Sequence, residues 1–82
     1  FGEKNKLTLI TQSLYGQTNL NAGNYNEAEQ HLVASYNGLK EISGNENEAT
    51  QKTLALLIEL YKKLNKKEMV NSYSKLIAEK EN

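Results

Sequence analysis

The stretch NAGNYNEAEQHL, residues 21–32, decides how this chain is read. It sets a small-residue turn, a lone aromatic and an Ala-Glu pair in tight succession, in a sequence otherwise rich in Leu, Lys, Glu and Asn. Gly23 is the residue type best able to take the left-handed conformation that closes a helix C-terminus. Asn24 can accept from the orphan N–H groups of a following helix, and Glu27 three positions later can reach back, a variant of the capping box. One helix is stopped and the next started within a few residues, so the stretch predicts the bend of a helical hairpin.

Periodicity on either side of the bend predicts the helices it joins. The first spans about 4–21, with Leu7, Ile10, Leu14 and Leu20 on a loosely shared face and Tyr15 beside them. The second runs from Asn24 to Ser43-Gly44, and Ala28, Leu32, Ser35, Tyr36, Leu39 and Ile42 trace an i, i+3, i+4 stripe along it. Ala28 is small enough to let a neighbouring helix approach closely. NENEATQKTLALLIELYKKL, residues 45–64, supplies the third helix, capped by Asn45 or Asn47. Glu46 and Glu48 sit where the helix dipole favours acids, Lys62 and Lys63 where it favours bases. Leu54, Leu56, Leu57, Ile58, Leu60, Tyr61 and Leu64 wrap most of its circumference, the pattern of a helix flanked on both sides at the centre of the core. A last helix from about Lys67 carries Met69, Val70, Tyr73, Leu76 and Ile77 on one face, while Asn71, Ser72, Ser74 and Lys75 make the other polar. No proline and no strand alternation interrupts the pattern, so the fold class is all-α, built from antiparallel hairpins with short turns.

Composition removes several function classes. A chain of 82 residues is one domain, and one of this size buries only about 60% of its unfolded surface, which makes a deep catalytic cleft hard to build. Ten basic and ten acidic residues balance, leaving no global field to recruit nucleic acid or an anionic membrane. The absence of cysteine removes disulfides, thiol catalysis and thiolate metal sites. The longest apolar run, LALLIEL at 54–60, is broken by Glu59 and falls far short of the roughly 20 residues of a membrane span. An opening at Phe1, with no initiator Met and no basic, apolar leader, reads as a piece of something longer. A cytoplasmic location is expected.

The two predicted hairpins can be laid over each other. Setting AGNYNEA (22–28) on LNKKEMV (64–70) gives an offset of 42 residues (Ala28 to Val70), which also sets Leu14 on Leu56 and Tyr15 on Leu57. Repeat one then covers about 4–43 and repeat two about 45–81. With these residues the chain resembles the tetratricopeptide repeat (TPR) family: Tyr15-Gly16 stands at its Leu-Gly pair, AGNYNEAE matches its turn, and Ala28 occupies its small position. In the second copy Leu54, Leu57 and Tyr61 fit the first-helix pattern, and Val70 replaces the small Ala. The long period is similar to the kinesin-light-chain-like variety, whose connection here reads GNENEAT and keeps Gly44 and Thr50 without the prolines and histidine. The run from Tyr25 to Lys80 further resembles the last repeats of C-terminal arrays in some bacterial serine/threonine kinases and multidomain signalling proteins. That likeness implies an α-solenoid fragment of two stacked hairpins from the C-terminal end of a longer protein, with any catalysis lying upstream and a face left exposed where a preceding repeat would stack.

Chemical constellations are weak by comparison. His31 has Glu27 one turn before it, but two ligands without a third make a poor metal site, so no metal or cofactor is expected. Ser13, Ser35, Ser43, Ser72 and Ser74 have no aspartate to build a triad with, since the chain contains none. Glu27 with Glu29, and Glu46 with Glu48, are i, i+2 pairs that point apart on a helix. No phosphate-binding glycine loop occurs. Lys62, Lys63, Lys66 and Lys67 form a basic cluster around the last turn, able to meet phosphate as point charges, although the lack of arginine weighs against nucleic-acid or phosphopeptide recognition.

These readings predict a non-enzymatic protein-interaction or scaffolding module. The family resemblance places first-helix residues on a concave surface, which here selects Ser13, Gln17, Asn21, Lys52, Glu59 and Lys63 as the candidate contacts for a protein or peptide. Ser13, Gln17 and Leu56 stand where chaperone-binding relatives carry their carboxylate clamp, so that partner class is not expected. The competing reading is a structural end cap of a longer array, able to self-associate through its exposed stacking face. Phosphate or nucleic-acid contact through the lysines ranks below both.

Overall fold

The computed structural model describes residues 2–78, which form four helices in chain order: α1 (Gly2–Asn21), α2 (Tyr25–Ser43), α3 (Glu48–Lys63) and α4 (Lys67–Ser74). No strand occurs among the described residues. Each helix packs against the next, and α1 also reaches α3. Residues 79–81, the end of the second repeat expected from the sequence, lie outside the described residues.

The two hairpin turns are built alike. After α1, Gly23 takes φ 84°, its N–H donates to the Leu20 carbonyl at 3.1 Å, and the Asn24 N–H reaches back to the Asn19 carbonyl at 2.8 Å. After α3, Asn65 takes φ 59°, its N–H donates to the Lys62 carbonyl at 3.1 Å, and the Lys66 N–H reaches the Tyr61 carbonyl at 2.9 Å. Both are Schellman closures, which need a left-handed residue at the helix end. The residue that follows starts the next helix in nearly the same conformation, φ −85°, ψ 73° at Asn24 and φ −97°, ψ 81° at Lys66. The 42-residue offset in the sequence is therefore repeated in the backbone.

That economy corrects the capping reading. Asn24 makes no side-chain cap bond; its Nδ2 donates instead to Asn19 Oδ1 at 3.3 Å. Because Asn24 closes α1 and opens α2 at once, its ψ is held away from the extended backbone that a capping side chain uses. Asn47, at φ −63° and ψ 144°, has that extended backbone and caps α3, accepting from the Ala49 N–H at 2.9 Å.

The packing of α1 departs from the predicted apolar face. Leu7, Leu14 and Tyr15 are exposed, whereas Leu20, from the same predicted face, is buried in the core; α1 meets α2 through Leu9 and Gly16. A methyl group added at Gly16 would lie 2.7 Å from Leu32 Cγ, and one added at Gly38 would lie 2.8 Å from both Leu9 Cδ atoms. Each helix thus receives the other's leucine over a glycine. The approach is close enough for the buried Ser35 Oγ on α2 to donate to the Leu9 carbonyl on α1 at 2.8 Å. Glycine inside a helix costs roughly 0.5–1 kcal/mol relative to alanine, so close contact is what both positions give in return.

The core agrees with prediction on α2 and α3. Ala28, Leu32, Ser35, Tyr36 and Leu39 are buried, as are Leu54, Leu57, Ile58, Leu60 and Tyr61, while Ile42 at the end of the α2 stripe is exposed. The last hairpin is looser: Ile58 stands where the first has Gly16, and α4 has eight residues with none fully buried. The predicted apolar face outlasts the helix, since Leu76 and Ile77 follow in single turns.

What fixes α4 is a group of polar and aromatic contacts. The Tyr73 ring stacks on Tyr61 at 5.6 Å and meets Tyr36 edge-on at 6.1 Å. The Tyr36 hydroxyl donates to Asn45 Oδ1 at 2.7 Å, and Asn45 Nδ2 donates to the Leu76 carbonyl at 2.8 Å. Gln51 Nε2 donates to the Asn45 carbonyl at 2.6 Å, while Gln51 Oε1 accepts from the Ala78 N–H at 2.9 Å. Tyr61 donates to Glu29 Oε2 at 2.8 Å, joining α3 to α2. Burial, and then the Glu29 carboxylate, push the Tyr61 phenol well above the ordinary tyrosine range, and burial moves Tyr36 the same way.

Gly16→Val is expected to destabilise the chain by about 2 kcal/mol through overpacking against Leu32, read by urea unfolding. Asn65→Gly should stabilise it by about 0.5 kcal/mol, since glycine adopts φ 59° without strain. A raised folded-state phenol pKa means that Tyr61 is neutral in both states below about pH 10, and that the unfolded chain ionises first above it. Stability should therefore fall as pH climbs beyond about 10. Tyr61→Phe should flatten that fall while costing about 1 kcal/mol at neutral pH.

Candidate interaction groove

A groove of about 730 Å³ runs between α1 and α3. On α1, Lys6, Ile10, Ser13, Leu14 and Gln17 recur on one side and line it; on α3 Glu48, Lys52, Leu56 and Glu59 do the same. The floor is held by a bond between the hydroxyls of Ser13 and Thr53 at 2.8 Å, both residues being buried. Thr53 Oγ1 also donates to the Ala49 carbonyl on its own helix at 3.0 Å, which leaves Ser13 the donor of the shared bond. Above this floor Ile10, Leu14 and Leu56 offer apolar surface, and Gln17, Lys52 and Glu59 stand along the edges. Lys52 is 3.7 Å from Glu48 one turn earlier, both side chains being exposed, so at that end the two charges largely offset one another.

The six residues selected from the sequence divide. Ser13, Gln17, Lys52 and Glu59 line the groove, whereas Asn21 and Lys63 are exposed outside its lining. Ser13 lies at the floor with its hydroxyl already engaged by Thr53. The sequence pattern reads Ile10, Leu14 and Leu56 as packing residues; Ile10 and Leu14 reach the groove through the rotation of α1 that the Gly16 and Gly38 contacts set, and Leu56 lines it from α3.

The lysine cluster surrounds a smaller hollow of about 290 Å³ at the α3–α4 turn, lined by Tyr61, Lys62, Asn65, Lys66, Lys67 and Val70; Lys63 is not part of it. All four lysines are exposed, and among the described residues none forms an ion pair.

His31 is half-buried between α1 and α2. Its Nδ1 accepts from Gln12 Nε2 at 3.3 Å, its Nε2 lies 3.6 Å from Glu27 Oε1, and its ring meets Tyr15 edge-on at 4.7 Å. Nδ1 therefore has its partner across the helix pair, on α1, and Nε2 has its neighbour one turn earlier on α2 itself. Among the described residues no three His, Asp or Glu side chains meet in metal-binding proximity, and no helix is long and apolar enough to cross a membrane.

Comparison of the chain with protein-family models, with curated proteins and with solved structures finds no match.

Proposed function

We propose that the chain is a non-catalytic protein-interaction module, a pair of tetratricopeptide-like hairpins that presents the α1–α3 groove to a segment of another protein. The observation that carries this reading is the groove itself, with apolar surface at Ile10, Leu14 and Leu56 above the Ser13–Thr53 floor and polar edges at Gln17, Lys52 and Glu59. Such a surface suits an amphipathic segment that sets two or three apolar side chains between the helices and directs polar groups to the edges. The repeated turn geometry 42 residues apart and the Gly16–Leu32 approach support the family reading. The engagement of His31, Ser13 and Ser35 in helix-to-helix contacts speaks for structural rather than catalytic roles.

A structural end cap of a longer array is the second reading, favoured by α4. That helix exposes Lys67, Glu68, Asn71 and Ser72, and the Asn45 and Gln51 bonds fold the segment after it back onto the core.

Selection of a random peptide display library on the immobilised chain, followed by calorimetric titration of the recovered peptides, tests the first reading. Lys52→Glu and Glu59→Lys should each weaken the selected peptides by about tenfold, and Lys75→Glu, far from the groove, should leave them unchanged. Selected peptides that ignore both groove substitutions, or a library that yields none, would remove this reading in favour of the cap.

A further inference from the structure

No charged residue occurs between Lys6 and Glu27, in a chain whose residues are 24% charged. That segment forms most of α1, and the side of α1 turned away from α2 exposes Leu7 and Leu14, at 64% and 56% of their surface. Leu7, Thr11, Leu14 and Thr18 follow one another at steps of four, three and four residues, and all four are exposed. These steps place them in one stripe along the helix, with the spacing of a two-helix packing seam. The exposed sides of the other helices carry charge: Lys40 and Glu41 on α2, Lys52 and Glu59 on α3, Lys67 and Glu68 on α4.

We propose that this stripe is a homodimer interface, in which a second copy of the chain lays its own α1 antiparallel across the first. The order of large and small residues selects that arrangement. A two-fold axis between positions 12 and 13 sets Leu7 opposite the second copy's Thr18 and Thr11 opposite its Leu14, and the symmetry repeats both pairings. Every leucine then faces a threonine, the alternation by which facing helices interdigitate. A parallel pairing sets leucine on leucine and threonine on threonine, leaving gaps at the small positions. A two-fold interface brings one patch onto a copy of itself, so a stripe with net charge would repel its partner; this one brings no charge into the contact. The Thr18 hydroxyl already donates to the Leu14 carbonyl at 3.1 Å, which lowers the cost of removing it from water.

The stripe spans about 16 Å of helix axis, short of a standard interface, so the dissociation constant is expected on the order of 10–100 µM. Leu7, Thr11 and Thr18 do not line the α1–α3 groove; Leu14 borders both surfaces. Substitutions at Leu7 and Thr11 therefore test the dimer without testing the peptide reading.

Sedimentation equilibrium from about 5 µM to about 1 mM should show the mass rising to twice that of the monomer and no further. Leu7→Glu and Thr11→Lys, both at exposed positions, should each weaken the dimer at least about tenfold while leaving the helical circular dichroism unchanged. Lys52→Glu should leave it intact. Raising NaCl from about 50 to about 500 mM should not loosen the wild-type dimer, whereas contacts through exposed charges would be screened. A monomer throughout the series, growth past the dimer, or a dimer indifferent to both variants would overturn the proposal. Orientation has its own readout, because the chain has no cysteine. Thr11→Cys and Leu14→Cys proteins mixed and oxidised with glutathione disulfide should give mainly the mixed disulfide, and a predominance of the Thr11→Cys homodisulfide would overturn the antiparallel arrangement.

Discussion

The rest of the molecule depends on how closely α1 and α2 approach. Gly16 lies under Leu32 and Gly38 under Leu9, so each helix removes its own side chain where the other inserts one. Interdigitation of this kind fixes both the separation and the rotation of the pair. Once α1 is rotated so that Gly16 faces inward, Ser13 is placed to reach Thr53 on α3, and Leu7, Leu14 and Tyr15 are turned outward. The groove and the exposed stripe are thus two consequences of one contact.

The helices were legible in the sequence because their punctuation is strong. Gly23 and Gly44 mark the ends of α1 and α2, Asn47 marks the start of α3, and the dense leucines of α3 identify the central helix. The rotation of α1 was not legible from hydropathy. Its inward face carries Ser13, Gly16 and Asn19 with Leu9 and Leu20, so a search for apolar periodicity settles on Leu7 and Leu14, which lie on the other side. The signal that could have corrected this was Gly38, a glycine within a helix that a packing contact best explains. The clamp around Asn45 was hidden for a different reason: its hydrogen bonds join residues as far apart as Asn45 and Leu76, and no local pattern reports a bond across that separation. Gln17, Lys52 and Glu59 were selected through a family likeness, and Asn21 and Lys63, selected the same way, fall outside the groove because they are the last residues of α1 and α3, beyond its lining.

The location of the groove matters for what it can do. Its two walls are the long helices α1 and α3, tied to each other by the Ser13–Thr53 bond and each packed on α2. A surface held by rigid helices loses little freedom when it is occupied, which favours recognition over a preformed shape. The short α4 takes no part in the lining, so variation there can leave the groove undisturbed.

The clamp at the other end divides the molecule into regions of unequal permanence. A helix of eight residues is too short to persist in water by itself, and α4 owes its order to the Tyr73 ring and to the bonds that Asn45 and Gln51 make with the segment after it. Those bonds are few and only part-buried, whereas the α1–α2 pair is locked by side-chain volume. Opening of the native state should begin at α4 and the chain that follows, freeing the α2–α3 connection with them, and leave the first hairpin as the last element to exchange its amide protons with solvent.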